Sequence, residues 1–536
     1  MSGQESTREG ACGGESKGEP RLGRSVDQPL ELATDLEDPP PPAPPPAAPD
    51  RRGWTLLGVS ILLYLVGFAL WYPPTHAIED EVGFLNTALI WSKGSLTTEG
   101  AGLGELSETQ LGPRGRTGWR NAGRSLLAAP VLAVFGYRAS FAVGALIHVL
   151  LALVAGLALR RLGRSAAWAL LLLWHPSLLL YSRTVMADAL GALCLCTALW
   201  TLLSRRYVLA GLALGFACVA RYHLGASIPV VVLTVLALSG RGPALRVVLG
   251  GGVIGACLLS YNQLLFGHPL GATGQGHFGL RYLARNLAHY ASALTLIWPG
   301  MLLAPLGWGL WRWLRRGEHV APEVDRRGAL LLSFSLPLLG ILLVYYFFDA
   351  EGSSLQRRVV LGQRLLLPAI PAWVLLYAQV LSEEFPGDLL GAERRQRLLA
   401  GLAPLVAVAG LAGGGALMAK HQGYLEELVA QREQAAKVIP EGSLVLANRH
   451  FSKLLEVPRP GLPSYRLPRY EHHGKLLEGA RLQAGGEGQP YYLVHLRRSP
   501  SEALPEAWNT LVRTHGGEVT HEGPLLLIRR VAPPRR

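Results

Sequence analysis

Charge is scarce in this chain. Only 17% of its 536 residues are Asp, Glu, Lys or Arg, and 50% are hydrophobic. A soluble chain carries about a quarter charged residues. The roughly three to four soluble domains that the length alone would allow are therefore excluded. The deficit lies in long apolar runs, and mean hydropathy is +0.26, so the chain reads as a polytopic membrane protein. Cysteine is scarce too, with five residues. Cys194, Cys196, Cys218 and Cys257 sit inside apolar runs and no CxxC pair occurs, which excludes a disulfide scaffold and leaves these four as small core hydrophobes. Acidic residues are outnumbered, 38 against 51 Lys and Arg, for a net charge of +13. The arginines come in pairs between apolar runs rather than along one polar face. That is a topology signal, and it excludes nucleic acid as the partner.

The two ends differ from the middle. Residues 1–50 hold ten acidic and four basic residues and the runs Pro39–Pro42 and Pro44–Pro46. Such a segment buries too little apolar surface to fold and is expected to be a disordered cytoplasmic tail. The first apolar run starts at Trp54, after Arg51-Arg52, and is long enough to remain as an uncleaved anchor. From His421 onward the apolar runs shorten to strand length, at Ser443–Ala447, Tyr491–Leu496 and Leu525–Ile528, with a helix over Ser501–His515. Residues 421–536 thus read as a small soluble α/β domain. His472-His473 lacks the partners a metal site needs and reads as an exposed loop.

A helical span needs about 20 apolar residues. Residues 51–420 offer eleven candidates: Trp54–Tyr72, Ala139–Leu159, Ala166–Leu180, Val185–Leu203, Tyr207–Ala220, Leu224–Leu238, Ala244–Tyr261, Ala291–Trp311, Ala329–Phe348, Leu365–Leu381 and Leu398–Met418. Tyr207–Leu238 reads either as two short spans or as a re-entrant pair. With the N-terminus cytoplasmic, every cytoplasmic turn is basic, as at Arg160, Arg161 and Arg164, or at Arg394, Arg395 and Arg397. The 421–536 domain then lies outside. Arginine also occurs on the outer side, at Arg114, Arg116, Arg120, Arg124, Arg183, Arg221, Arg281, Arg285, Arg357, Arg358 and Arg364. These are either scattered loop charges or binders of a phosphate at the outer leaflet, which arginine holds through a bidentate fork. Arg364 and Arg221, which abut apolar runs, favour the second reading.

Acids at the membrane are rarer. In the first outer loop (73–124), Glu79-Asp80-Glu81 leads into an apolar, amphipathic stretch reaching Trp91 that would hold the acids at the membrane surface. A carboxylate there is tuned by desolvation and serves as a general base. Asp188, inside an apolar run and preceded by His175-Pro176 and Arg183, is either a structural partner of an outer arginine or a support for catalysis.

Taken in order, these residues resemble the polytopic membrane glycosyltransferases of the GT-C fold, among them the protein O-mannosyltransferases and the lipid A aminoarabinose transferases. Asp80-Glu81-Val82-Gly83-Phe84 looks like the DExx(Y/F) motif of the first outer loop. Arg124-Ser125-Leu126-Leu127-Ala128-Ala129-Pro130 with Phe135-Gly136 looks like the segment closing that loop. His175-Pro176 with Asp188, Arg221-Tyr222 after Gly211 and Gly215, and Arg364-Leu365-Leu366-Leu367-Pro368 follow. Leu365 departs from the pattern, which has an aromatic residue there.

The resemblance implies an all-α polytopic fold with a small terminal α/β domain, in a bacterial cytoplasmic (inner) membrane. It implies transfer of a sugar from a polyprenyl-phosphate donor to a hydroxyl, or an amine, of a glycan, lipid or protein acceptor, with inversion. Asp80 would be the general base, with Glu81 placing the acceptor. Arg364 and Arg221 would bind the donor phosphate, and Asp188, His175 and Arg183 would support them. No cofactor is implied. Asp80, Glu81, His175, Asp188 and His223 could surround a divalent cation, but no ligand spacing demands one. Two other classes remain, a polytopic lipid or saccharide transporter or flippase, and a non-catalytic envelope scaffold. No internal repeat of the kind common in transporters is evident.

Overall fold

The computed structural model describes residues 50–98, 109–118, 120–271, 278–297, 307–310, 322–345, 364–382, 392–448, 490–497, 504, 506–515 and 517–531. The acidic tail, Arg357, Arg358 and His472-His473 lie outside them.

Helix α1 (Arg51–Leu70) starts at Asp50, whose Oδ1 accepts the Gly53 N–H at 2.9 Å. This is the usual way a short acid satisfies an unpaired first-turn amide. Asp50 Oδ2 accepts from Ser165 Oγ and the Ala166 N–H, both at 2.7 Å. One carboxylate thus caps α1 and pins the turn that follows α4 (Ser140–Arg161). Between them lie α2 (Glu79–Ser92), a hairpin of β1 (Thr109–Gly112) and β2 (Gly115–Gly118), and α3 (Ala122–Phe135).

After α4 the expected span Ala166–Leu180 is not one helix. A 3-10 turn (Ala166–Ala169) and α5 (Leu170–Leu173) end at Trp174, and α6 (Pro176–Tyr181) begins anew. Pro176 is the cause, because a proline removes one helical amide and drives the residue before it into extended backbone. His175 has φ −64° and ψ 121°, and its Nδ1 accepts the Leu178 N–H at 3.4 Å as the new cap.

The chain continues through α7 (Asp188–Leu203), α8 (Tyr207–Ala220), α9 (Ser227–Ser239, after a 3-10 turn Tyr222–Ala226) and α10 (Arg241–Phe266). Then come α11 (Leu283–Ile297), α12 (Pro322–Val344), a 3-10 turn Arg364–Ala369 leading into α13 (Ile370–Ser382), and α14 (Ala392–Val438). Helices α8 and α10 touch backbone to backbone. A Cβ on Gly211 would stand 2.1 Å from the Val247 carbonyl oxygen, and one on Gly250 would stand 2.2 Å from that of Val208.

Six helices among the described residues are long and apolar enough to cross a membrane: Arg51–Leu70, Tyr137–Arg161, Tyr222–Ser239, Arg241–Phe266, Asp325–Val344 and Arg364–Leu381. They make this a multi-pass membrane protein. Of the other expected spans, α7 and α8 are shorter apolar helices and Ala166–Leu180 is broken. Ala291–Trp311 lies partly outside the described residues, and Leu398–Met418 is contained in α14.

Helix α14 runs for 47 residues, about 70 Å at 1.5 Å per residue. It does not stop where the apolar run stops. Its last turns, through Leu425, Leu428 and Ala435, and Ile439 just after them, pack on one face of a four-stranded sheet with order β3-β4-β6-β5. The strands are β3 (Leu444–Ala447), β4 (Tyr491–Leu496), β5 (Glu518–Glu522) and β6 (Leu526–Val531), with β3 parallel to β4 and the other pairs antiparallel. On the other face Trp508 of α15 (Glu506–His515) packs with Leu444, Leu493 and Leu527.

Candidate active site

Helix α2 presents the first acid. The stretch reaching Trp91 was expected to lie at the membrane surface with one apolar face. Instead Asp80 through Leu89 is buried almost throughout, and α2 packs against α3. Ser125 Oγ donates to the Phe84 carbonyl at 2.8 Å, and a Cβ on Gly123 would meet the Ala220 backbone at 2.9 Å. A glycine at position 123 therefore lets α3 sit tightly between α2 and α8.

Asp80 is held by two arginines, one on each carboxylate oxygen. Arg120 Nη2 lies 2.7 Å from Oδ1 and Arg364 Nη1 lies 3.0 Å from Oδ2. All three side chains are only partly exposed, 10% for Asp80, 18% for Arg120 and 19% for Arg364, so the pairs are screened little by water. A second pair is buried more deeply, at 8% exposure for Arg221 and 0% for Asp188. Asp188, the first residue of α7, takes Arg221 Nη2 on Oδ2 at 2.7 Å. Phe84 joins the two, because the Arg221 guanidinium carbon lies 5.5 Å from the centre of its ring. Asp80 and Phe84 are four residues apart and so share one helix face. The spacing of the motif thus has a physical meaning: its acid meets Arg120 and Arg364, and its aromatic ring meets Arg221. Tyr181, buried on α6, lies within electrostatic reach of Arg364, Asp188, Asp80 and Arg221. His223 Nε2 is 3.3 Å from the carbonyl of Leu365, tying the turn after Arg221 to the turn that begins at Arg364.

Asp80, Arg364, Asp188 and Arg221 therefore come together. Glu81, His175 and Arg183 are engaged elsewhere. Glu81 Oε2 accepts the N–H groups of Ala77 and Ile78 at 2.9 and 2.8 Å, and Oε1 accepts that of Val185 at 2.8 Å. Its carboxylate joins the start of α2 to the turn before α7. His175 caps α6. Arg183 donates to the Trp71 carbonyl, to His421 Nδ1 at 3.3 Å and to Gln422 Oε1 at 2.9 Å. It fastens the end of α1 to α14, and the arginine that pairs with Asp188 is Arg221. Burial lowers the Arg183 guanidinium to about 10. Burial, with the Arg183 charge second, pushes His421 down to about 3. Arg120 carried no signal in the sequence beyond its place among the outer arginines. Among the described residues no group of three or more His, Cys, Asp or Glu side chains is placed to hold a metal ion.

The sequence matches no protein-family model, and no curated protein matches it. Solved structures do. ArnT from Cupriavidus metallidurans bound to undecaprenyl phosphate overlaps 90% of this chain and 98% of its own, with a TM-score of 0.54 and 14% identity. The apo state of that protein overlaps 89% and 98%, with a TM-score of 0.55 and 13% identity. The archaeal oligosaccharyltransferase AglB from Archaeoglobus fulgidus, in complex with an inhibitory peptide and a dolichol-phosphate, gives a TM-score of 0.48 at 12% identity, over 83% of this chain and 69% of that one. The chain thus shares its overall fold with ArnT.

Proposed function

We propose that the protein transfers a sugar from a polyprenyl-phosphate donor to an acceptor hydroxyl or amine at the outer face of a bacterial inner membrane. One observation carries the reading: a carboxylate gripped by two arginines, in a fold shared with a transferase that binds undecaprenyl phosphate. In the reaction, Asp80 takes the proton of the acceptor as the acceptor's oxygen or nitrogen attacks the anomeric carbon. The bond from that carbon to the phosphate oxygen breaks, the electron pair leaves with the phosphate, and the configuration inverts. Arg364 and Arg221 stabilise the charge growing on the phosphate oxygens, which is what fixed cationic donors in a dry site do best. In support, the buried Nε of Arg221 has no hydrogen-bond partner within the protein. Glu81, which accepts hydrogen bonds from three backbone amides, is a positioning residue that holds Asp80 and the turn before Asp188 in register. Asp188 orients Arg221. Arg183 and His175 act on the fold around the site. The scheme needs no metal. The N-terminal tail is on the cytoplasmic side and the terminal sheet is outside.

The test is transfer in membranes supplied with a panel of radiolabelled polyprenyl-phosphate sugars, wild type beside Asp80→Asn at matched expression. Label that moves with wild type and fails to move with Asp80→Asn supports the reading and names the donor. Equal transfer by the two proteins removes Asp80 from the chemistry.

A further inference from the structure

The proposed reaction gives Asp80 and Arg364 tasks that conflict. Arg364 is paired with Asp80 Oδ2 at 3.0 Å, yet it is the cation that a lipid phosphate is to take. A base freed of its only cation would lose its fixed orientation at the moment it acts. Asp80 has a second cation. Arg120 Nη2 holds Oδ1 at 2.7 Å, the shorter of the two contacts. Arg120 also stands on firm ground. It lies two residues before the start of α3, where Gly123 abuts the Ala220 backbone, Arg124 Nη2 donates to the Ser140 carbonyl at 3.0 Å and Ser125 is bonded to Phe84. Those contacts set α3 against the helix that bears Asp80.

We infer that Arg120 is a positioning residue for the base: it shares the charge of Asp80, so that a phosphate can draw Arg364 away while the carboxylate stays in place. The inference rests on the function proposed above. Its physical core is competition. Two cations on one carboxylate each hold it less firmly than one alone would. Without Arg120 more of the carboxylate charge falls on Arg364, and a phosphate must break a tighter pair to reach that arginine.

The probe is undecaprenyl phosphate, titrated into the full-length protein in phosphatidylcholine nanodiscs. The proteins are wild type, Arg120→Gln, Arg120→Lys, Asp80→Asn, the double variant Asp80→Asn/Arg120→Gln, and Arg364→Gln. With Asp80 present, Arg120→Gln is expected to weaken binding about tenfold, the scale of coupling between charges in direct contact. Arg120→Lys, which keeps the cation, should stay within about twofold of wild type. Asp80→Asn releases Arg364 and should bind more tightly than wild type. In that background the further change Arg120→Gln should cost less than about twofold. An equal loss in both backgrounds would mean that Arg120 touches the phosphate itself or merely supports the fold, and would overturn the inference. So would an unchanged affinity in Arg120→Gln. Failure of the underlying function looks different: wild type does not bind the lipid, or Arg364→Gln binds it as well as wild type does.

Discussion

Neighbouring side chains on a helix diverge by about 100°. With Asp80 turned toward two arginines, Glu81 is turned into the protein, where three backbone amides converge on it. Substitutions at the two acids should therefore fail differently. Asp80→Asn is expected to lower transfer about 10²- to 10⁴-fold, the usual worth of a general base, in protein that still folds. Glu81→Ala leaves buried amides without acceptors, at about 1–3 kcal/mol each, and should lower the thermal midpoint. Activity and thermal melts measured on the same preparations separate the two. The pair Asp188–Arg221 allows a sharper division. Asp188→Asn strands a buried arginine and should cost about 3–5 kcal/mol. Replacing both residues with apolar ones, Asp188→Leu with Arg221→Met, should restore most of the thermal stability and none of the transfer. A double variant that regained transfer would exclude Arg221 from phosphate binding.

At the scale of elements, the contact of α8 with α10 depends on glycine. Small residues let helix backbones approach closely within a membrane, and here the carbonyls of Val208 and Val247 occupy the space a side chain would need. Gly211→Leu or Gly250→Leu should separate the helices and lower the thermal midpoint, whereas Gly252→Leu, with nothing within 4 Å of its added Cβ, should be tolerated. Glycines of α8 were visible in the sequence, and so were the apolar run of α4 and the acid and aromatic of α2, whereas the break at Pro176 was missed, because Ala166–Leu180 reads as one span. Each visible feature is a local pattern. What was not visible is contact between distant segments. Asp80 meets Arg120 and Arg364, far along the chain, and no local spacing distinguishes Arg120 from Arg114 or Arg116. Burial of α2 on all sides was likewise hidden, because its apolar partner α3 lies beyond the hairpin. Strand β5 reads Glu-Val-Thr-His-Glu and is largely exposed, so it made no apolar run to find.

Across the whole molecule, α14 joins the apolar helices to the terminal sheet. The end of its apolar run near Met418 looks like a domain edge in the sequence, yet the helix continues through it to Val438 and carries the terminal sheet. Arg183 bonds to His421 and Gln422 at the crossing. His421 must be neutral to accept that bond. Its value of about 3 lies below the usual 6.5, so the unfolded chain takes up a proton that the folded chain refuses. This contribution to stability is complete above about pH 6.5 and declines as the pH falls toward about 3. Wild type should lose more thermal stability across that window than His421→Asn, and identical slopes would remove His421 from the account.

The cluster of ion pairs also has a net charge. Counted over the described residues of the site, three arginines (Arg120, Arg221 and Arg364) face two carboxylates (Asp80 and Asp188), leaving one positive charge. A phosphodiester donor brings about one negative charge, and the occupied site is neutral. In the proposed reaction, transfer puts the acceptor's proton on Asp80, which raises the protein's share to two positive charges. The lipid monophosphate left behind carries about −1.5 to −2. Under the proposed reaction the site passes from one nearly neutral state to another, and no unbalanced charge has to be created in a low-dielectric interior. Imbalance arises only on departure, when the phosphate leaves a protonated Asp80 among three arginines. Under the proposed reaction, loss of that proton and exit of the spent lipid are thereby coupled, and the pH that governs the one governs the other.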